Sequence, residues 1–554
     1  MTLTAPPPTE TPAPARSFLA RAFGITALLS AGGSLLGLLR DLLLARFYGA
    51  DQGTDAFLVS WTVPETAAPL LIEDAMAFLM VPAFSQALAA DADRDRDSDG
   101  DSDGDPVRAL APVDGDPVRA LVAATLPPLA LLLAVLSAAT ALGAPVLVQL
   151  LAPGLPDTSL AVVCTRLTAL TILPFGLTGY LSAGLRAHHR FTGPGAVYIV
   201  YNSGILLVML LLHASLGVTA AAAGVALGST LMTALLLPLF SRHCSRLSSR
   251  QGRPALTALG FSPLALLPVA LFTLTRQAQV FVERYLASSL APGTISHLNY
   301  AEKVAQMAMT LGLMVCTVTF PLVARALAAG DIAAARRRVE QDLELVGAVV
   351  LAGTAILIAC APDVVQLLFQ RGEFTATDTA ATASAMRVYS LGLLGQAMVG
   401  TLIRPFFSVR PAVTRGRAGS AGFERSDWYP IASMALGLLV TAVVGAATAH
   451  RYGAPGLAAA NAAGISLTAA LLLGALRARG VPVRVHTVLF AQTRLLTAAV
   501  AATAAAALAA ALAGSEPLPA VLLGAPAGLA AFAAVLAMLK VRLWRPAVNG
   551  GAGS

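Results

Sequence analysis

Apolar stretches of about 20 residues recur along almost the whole chain, each long enough to cross the roughly 30 Å hydrocarbon layer of a bilayer. Backbone polar groups in lipid have no water to bond, and a helix is the fold that satisfies them within one segment. The stretches are read as spans at 18–39, 56–82, 119–142, 160–184, 194–213, 216–240, 262–288, 303–324, 344–361, 384–403, 428–449, 454–476, 487–512 and 517–540. The second and seventh are the least uniform. The expected fold class is therefore all-α: a polytopic membrane protein of about 14 transmembrane helices, in two pseudo-symmetric halves plus two C-terminal helices. The division expected is a disordered cytoplasmic tail 1–17, a six-helix lobe 18–240, a second six-helix lobe 262–476, two last helices 487–540 and a cytoplasmic tail 541–554.

Composition closes the other route. Of 554 residues 56% are hydrophobic and 12% charged, too little charge to cover a soluble domain of this size. The formal charge of +7 does not point to nucleic acid, because the basic residues sit in short loops and form no face that tracks a phosphate backbone. Their distribution orients the chain instead. Arg186 and Arg190, Arg242 to Arg253, Arg325 to Arg338, Arg404 to Arg425 and Arg477 to Arg484 fall in alternate loops, and Lys540, Arg542 and Arg545 in the C-terminal tail. The intervening loops 214–215, 289–298 and 513–516 carry no Lys or Arg, and 450–453 has only Arg451. This predicts an inner-membrane protein with both termini cytoplasmic and membrane lipids around it. Cys164, Cys244, Cys316 and Cys360 have no metal-ligand spacing and read as small apolar residues.

One loop breaks the pattern. DADRDRDSDGDSDGDPVRALAPVDG, Asp91 to Gly115, contains DGDPVRAL at 103–110, repeated at 114–121. An EF-hand loop needs a spaced Gly and a closing Glu that it lacks. The acidic loop 91–117 therefore reads as a solvated linker, and Arg410 to Arg425 as a second insertion of the same kind.

Ionisable groups inside a span cost at least about 2.5–3.5 kcal/mol and normally face a wet cavity or a partner. Here they cluster. Arg40 and Asp41 end the first span, Asp55 opens the second, and Glu65 and Glu73 lie within it at i, i+8. Arg276, Glu283 and Arg284 lie in the seventh span, and Glu302 and Lys303 open the eighth. The bland reading is paired charges snorkelling at helix ends. The functional one is a hydrated central cavity lined by spans one, two, seven and eight, partly cationic and suited to an anionic headgroup. Pro64, Pro69 and Pro82 are expected to kink or break the second span. Two halves rocking about a midplane site is how transporters alternate access.

At these residues the sequence resembles a known family. LLGLLRDLLLARFYGADQGTDAFLVSW (Leu35 to Trp61), ERYLASSLAPGTISHLNYAEKV (Glu283 to Val304), LLFQRGEFTATDT (Leu367 to Thr379) and the shorter RPFFSV (Arg404 to Val409) are similar to successive motifs of the MurJ (MviN) lipid II flippases. The resemblance covers about residues 18–540. It implies translocation of undecaprenyl-pyrophosphate-linked disaccharide-pentapeptide from the inner to the outer leaflet. Carried over position by position, it implies substrate-binding roles for Arg40, Asp55 and Glu73, with Lys303 where the family usually has Arg. Arg276 and Arg284 are further candidate substrate cations. Asp41, Glu65, Glu283 and Glu302 are candidates for pairing or for coupling to H+ or Na+, the membrane potential being the other driving force expected. The chain departs from the family at Ser34, and at Ala68 and Pro69, where cavity arginines are usual. A divergent paralogue exporting another polyprenyl-linked glycan, or a non-transporting scaffold, is the alternative this opens.

No catalytic residue, cofactor or metal is expected. An enzyme would need a base with a nucleophile or metal ligands at one membrane face, whereas the seven histidines are scattered over loops and helix ends. GxxxxGK[ST] is absent, so ATP hydrolysis is not expected. A drug/cation antiporter pocket should be acidic and aromatic, against which Arg40, Arg276 and Lys303 argue. The partners expected are a lipid II-like glycolipid and cell-wall synthesis machinery.

Overall fold

The structure, a computed structural model, describes residues 16–74, 76, 79–89, 117–244, 267–328, 331–408, 428–479 and 481–541. The acidic loop up to residue 116, the insertion Arg410 to Arg425 and most of both tails lie outside these residues. Every regular element among them is helical.

In the N-terminal lobe, α1 (Arg16–Tyr48) is followed by α2 (Gln52–Ala68), a π-helical turn (Pro69–Asp74) and the short α3 (Leu79–Ala89). Then come α4 (Pro117–Leu142), α5 (Ala144–Leu151), α6 (Thr158–Ala169), α7 (Ile172–Ala187), α8 (Thr192–Leu216) and α9 (Thr219–Cys244). The C-terminal lobe holds α10 (Leu267–Ala287), α11 (Thr294–Ala328), α12 (Ile332–Ala359), α13 (Ala361–Phe369), α14 (Ala376–Ser390), α15 (Leu393–Ser408), α16 (Tyr429–Tyr452) and α17 (Ala454–Ala475). Two final helices, α18 (Val485–Leu512) and α19 (Pro517–Met538), pair with each other and pack on α12.

Among the described residues ten helices are long and apolar enough to cross a membrane, and α14 with α15, bent by 46°, makes an eleventh span. The expected fourteen are not reached by that measure. The other three expected spans correspond to α2 with its π-helical turn, α10 and α11. The first is interrupted at Pro69, and α10 carries Arg276, Glu283 and Arg284. The charge that makes these elements interesting is also what weakens them as apolar spans.

The halves repeat a detail that apolar stretches do not show. Between the third and fourth spans α5 reads APVLVQLL, and between the ninth and tenth α13 reads APDVVQLLF. Both are short helices with Pro in the first turn, where its missing N–H has no partner to lose. Each leads to a capped helix: Asp157 accepts from Ser159 and Leu160 amides, and Thr375 forms a reciprocal capping box with Asp378. Asp157 is held below the usual carboxylate range, chiefly by the Ser159 hydroxyl.

With lipid outside, close approach rather than hydrophobic exclusion holds helices together, and small residues permit it. At the α16–α17 crossing a Cβ on Gly437 would run into Thr468 Oγ1, and one on Gly464 into Thr441 Oγ1. Gly179 of α7 does the same for the site: a Cβ there would strike the Leu71 carbonyl of the π-helical turn.

Candidate functional site

Two chambers lie between the lobes and share a wall. The N-terminal chamber, about 520 Å³, is bounded by α1, α2 with its π-helical turn, and α8. The C-terminal chamber, about 300 Å³, lies among α10, α11, α14, α15, α16 and α17. Glu65, Pro69 and Lys303 line both.

In the N-terminal chamber Arg40 is fixed from three directions. Its Nε and Nη2 donate to Asp41 Oδ1 at 3.0 and 2.8 Å, and its Nη1 to Asn202 Oδ1 at 3.2 Å. The guanidinium lies over the Trp61 indole, 4.5 Å from its centroid, a cation–π placement. Asn202 is itself anchored, its Nδ2 donating to the Gly33 and Tyr198 carbonyls at 3.1 and 3.0 Å. Glu73 accepts from the Tyr198 hydroxyl at 2.6 Å. The Tyr201 hydroxyl is buried with no hydrogen-bond partner among the described residues, and Tyr201 lines this chamber.

Glu65 joins the lobes. It accepts from Arg284 Nη2 at 2.6 Å and Lys303 Nζ at 3.4 Å, while its backbone carbonyl accepts from Gln277 Nε2 at 2.8 Å. Arg284 also donates to Thr62 Oγ1. A buried charge is tolerated when paired and hydrogen-bonded, and here α2 pairs with α10 and α11 through one carboxylate. Lys303 and Glu65 stand on chamber walls; Arg284, 5% exposed, does not reach either large chamber.

In the C-terminal chamber Arg276, Glu283 and Glu302 line the wall. Glu283 accepts from Asn461 Nδ2, and Glu302 from Gln306 Nε2 at 2.5 Å. Gln396 Nε2 donates to the Tyr389 hydroxyl at 2.9 Å.

Asp55, expected in the headgroup set, lines neither chamber. Its carboxylate closes the start of α11, accepting from the Gly293 amide at 2.7 Å, the Ser296 amide at 2.8 Å and the Ser296 hydroxyl at 2.6 Å. A helix N-terminus presents unpaired N–H groups and a partial positive charge, so a buried carboxylate there is held firmly. Around it the Tyr300 hydroxyl donates to the Gly49 carbonyl at 3.3 Å, and the Glu373 amide to the Arg46 carbonyl at 3.0 Å. Gly293 and Gly372 take φ of +88° and +64° there, each with no room for a Cβ beside the Ala50 and Arg46 carbonyls respectively. The motif pieces GADQGTDAF, APGTISHLNY and RGEF thus meet at one end of the molecule and seal the two lobes together.

The aromatic and amide members of the chambers, Trp61, Tyr198, Tyr201, Asn202, Gln396 and Asn461, are absent from the sequence expectations. A buried amide in an apolar span needs a partner just as an ionisable group does, and that signal marks Asn202, Gln396 and Asn461. Ser34, whose hydroxyl bonds the Ser30 carbonyl of its own helix at 3.1 Å, and Ala68 both line the N-terminal chamber. The family departures therefore fall on its wall. Among the described residues no group of three or more His, Cys, Asp or Glu side chains is arranged to hold a metal ion.

Comparisons with known proteins agree with this architecture. A probable lipid II flippase MurJ of Rhizobium meliloti (strain 1021) is 26% identical over 403 residues, 70% of each chain. The lipid II flippase MurJ of Burkholderia cenocepacia is 25% identical over 481 residues, 82% of this chain and 84% of that one. Among solved structures, a lipid II flippase MurJ in an inward closed conformation superposes with a TM-score of 0.70 at 16% identity, covering 93% of this chain and 99% of that one. An inward-facing multidrug resistance MATE family transporter of the MOP superfamily superposes at 0.58 and 13% identity, covering 84% and 95%. The family model described as lipid II flippase MurJ matches residues 44–516, and the chain belongs to that family.

Proposed function

We propose that this protein carries lipid II, or a closely similar polyprenyl-pyrophosphate glycolipid, from the inner to the outer leaflet of the bacterial cytoplasmic membrane by alternating access. The observation that carries the reading is the N-terminal chamber, where Arg40 and Lys303 face one volume while held by the carboxylates of Asp41 and Glu65. A pyrophosphate stripped of water needs replacement partners. These two cations provide them by exchanging a carboxylate for a phosphate, and Lys303, 3.4 Å from Glu65, is the looser of the two. The lipid tail stays in the bilayer throughout. By the Arg distribution, both termini are cytoplasmic and the Asp55 seal lies at the outer face, so loading is from inside. Outward movement of an anion is favoured by an inside-negative potential by about 2.3 kcal/mol per charge per 100 mV. H+ or Na+ coupling through the acidic groups is the alternative drive. No bond is made or broken, and the product supplies cell-wall synthesis machinery outside.

The second reading, a family member exporting a different polyprenyl-linked glycan, is favoured by Ser34, Ala68 and Pro69 on the chamber wall. The test is complementation of a strain depleted of its lipid II flippase, with membrane expression checked by immunoblot. Growth rescue, lost on Lys303→Ala, supports lipid II; well-expressed chain without rescue overturns it in favour of the second reading.

A further inference from the structure

We infer that the C-terminal chamber is a sugar subsite, taking the uncharged glycan of the cargo while the pyrophosphate stays in the N-terminal chamber. This rests on the polyprenyl-pyrophosphate reading above and adds a division of the headgroup between two walls.

Charge makes the first division. Glu283, Glu302 and the shared Glu65 line the C-terminal chamber, with Arg276 and the shared Lys303 as its cations. A phosphate drawn in where three carboxylates outnumber two cations meets net like-charge repulsion in a medium of low dielectric. A neutral sugar does not. In the N-terminal chamber two cations, Arg40 and Lys303, match two carboxylates, Glu65 and Glu73, so the excess of carboxylates is confined to the C-terminal side.

Hydrogen-bond sense makes the second. Four amide side chains on the C-terminal wall direct their N–H groups into protein: Gln277 to the Glu65 carbonyl, Gln306 to Glu302, Gln396 to Tyr389 and Asn461 to Glu283. Each amide carries an acceptor oxygen as well as its donors, and none of these four oxygens has a partner among the described residues. None of the four is among the buried unpartnered atoms of the described residues, so these oxygens are open to the chamber rather than enclosed in protein. The wall that results is rich in acceptors, carboxylate and amide together, and calls for a ligand rich in donors. Sugar hydroxyls and the N–H of an N-acetyl group are such donors. Phe272 and Met434 on the same wall supply apolar surface for a ring face or an acetyl methyl. The volume, about 300 Å³, is at the lower edge of pockets that hold small ligands, roughly 300–1,000 Å³. Because Glu65 and Lys303 line both chambers, the two subsites adjoin, as a pyrophosphate and the sugar bonded to it must.

A site built to bond donors loses affinity when they are missing, because its own buried acceptors are left unpaired. The experiment measures dissociation constants of the full chain in nanodiscs for two lipids, lipid II and bare undecaprenyl pyrophosphate. The unmodified protein is expected to bind lipid II at least about tenfold tighter. Gln396→Leu and Asn461→Leu, on different helices, are each expected to weaken lipid II about tenfold and to change undecaprenyl pyrophosphate by less than about twofold. Arg40→Ala is expected to weaken both lipids. Equal affinities in the unmodified protein, a comparison needing no variant to fold, would overturn the sugar subsite while leaving the pyrophosphate reading in place. So would equal losses for the two lipids in the amide variants. Binding of neither lipid would remove the polyprenyl-pyrophosphate reading, and the subsite with it.

Discussion

Replacing Asp55 with Ala should open the sealed end of the molecule. The carboxylate is 5% exposed and accepts three hydrogen bonds, two from backbone amides and one from a hydroxyl, at 2.6–2.8 Å. Hydrogen bonds to charged groups are each worth about 1.5–3 kcal/mol and do not add fully. Removing the acceptor also leaves buried donors unpaired at a helix start, so about 3–5 kcal/mol is lost from the closed arrangement. Once the lobes part, the same groups are met by water and the loss does not apply. The equilibrium between closed and open therefore moves by a factor of roughly 100 or more, at about 1.4 kcal/mol per tenfold. Asp55→Asn keeps a carbonyl acceptor but loses the charge, and should move it by about half as much in free energy. Spin labels at Thr158→Cys on α6 and Thr377→Cys on α14, both exposed at the sealed end, report the separation by double electron–electron resonance in proteoliposomes, after replacement of the native cysteines. The Ala variant should show a longer-distance population that the parent lacks, and Asn a smaller one. An unchanged distance distribution in a variant that has nonetheless lost activity would refute the latch and return Asp55 to a role in binding or coupling.

Arg40→Ala and Lys303→Ala should each abolish complementation with membrane expression unchanged, whereas Lys303→Arg should retain it; normal growth with Lys303→Ala would remove Lys303 from the cargo site. Gly179→Ala should push the Leu71 carbonyl and the π-helical turn away from α7, at a cost of about 1–3 kcal/mol for an overpacked contact. Thermal unfolding in detergent reads this as a lowered midpoint, and an unchanged midpoint would show that the turn gives way freely. Deleting Asp91 to Gly104 should leave complementation intact, as a solvated linker requires; loss of growth with normal expression would give that segment a function.

Apolar length and Arg alternation made the spans legible, because a bilayer imposes one length scale on every crossing. They say nothing of which charges meet. Glu65 is bonded by Arg284 and Lys303, more than 200 positions away, and no local spacing encodes that contact. Arg276 and Glu283, seven residues apart on α10, line one chamber, yet Glu283 takes its hydrogen bond from Asn461 of α17. Asp55 shows the same gap from the other side. A motif resemblance marks a residue as used and leaves its use open, and for Asp55 the resemblance implies a place in the headgroup set. Only the positions of Gly293 and Ser296, opposite it across the lobe boundary, reveal a seal.

The two kinds of charged contact divide the labour of a transport cycle. Arg40 and Lys303 are held by carboxylates on a chamber wall, where an incoming anion competes directly for them. Asp55 is held by two amides and a hydroxyl that line neither chamber, so cargo in the chambers does not touch them. The wall contacts therefore respond to cargo and the seal responds to the separation of the lobes. The link between them on this structure is α2, which carries the seal at its first turn and Glu65 near its last, with the π-helical turn beyond. Releasing Lys303 from Glu65 frees α2 from α11 at the cargo end and leaves Asp55 as the main polar tie of α2 to α11. Loading would then loosen the helix that the seal depends on. The Asp55→Asn variant, with that tie already weakened, should accordingly open at a lower lipid II concentration than the parent in the same spin-label measurement.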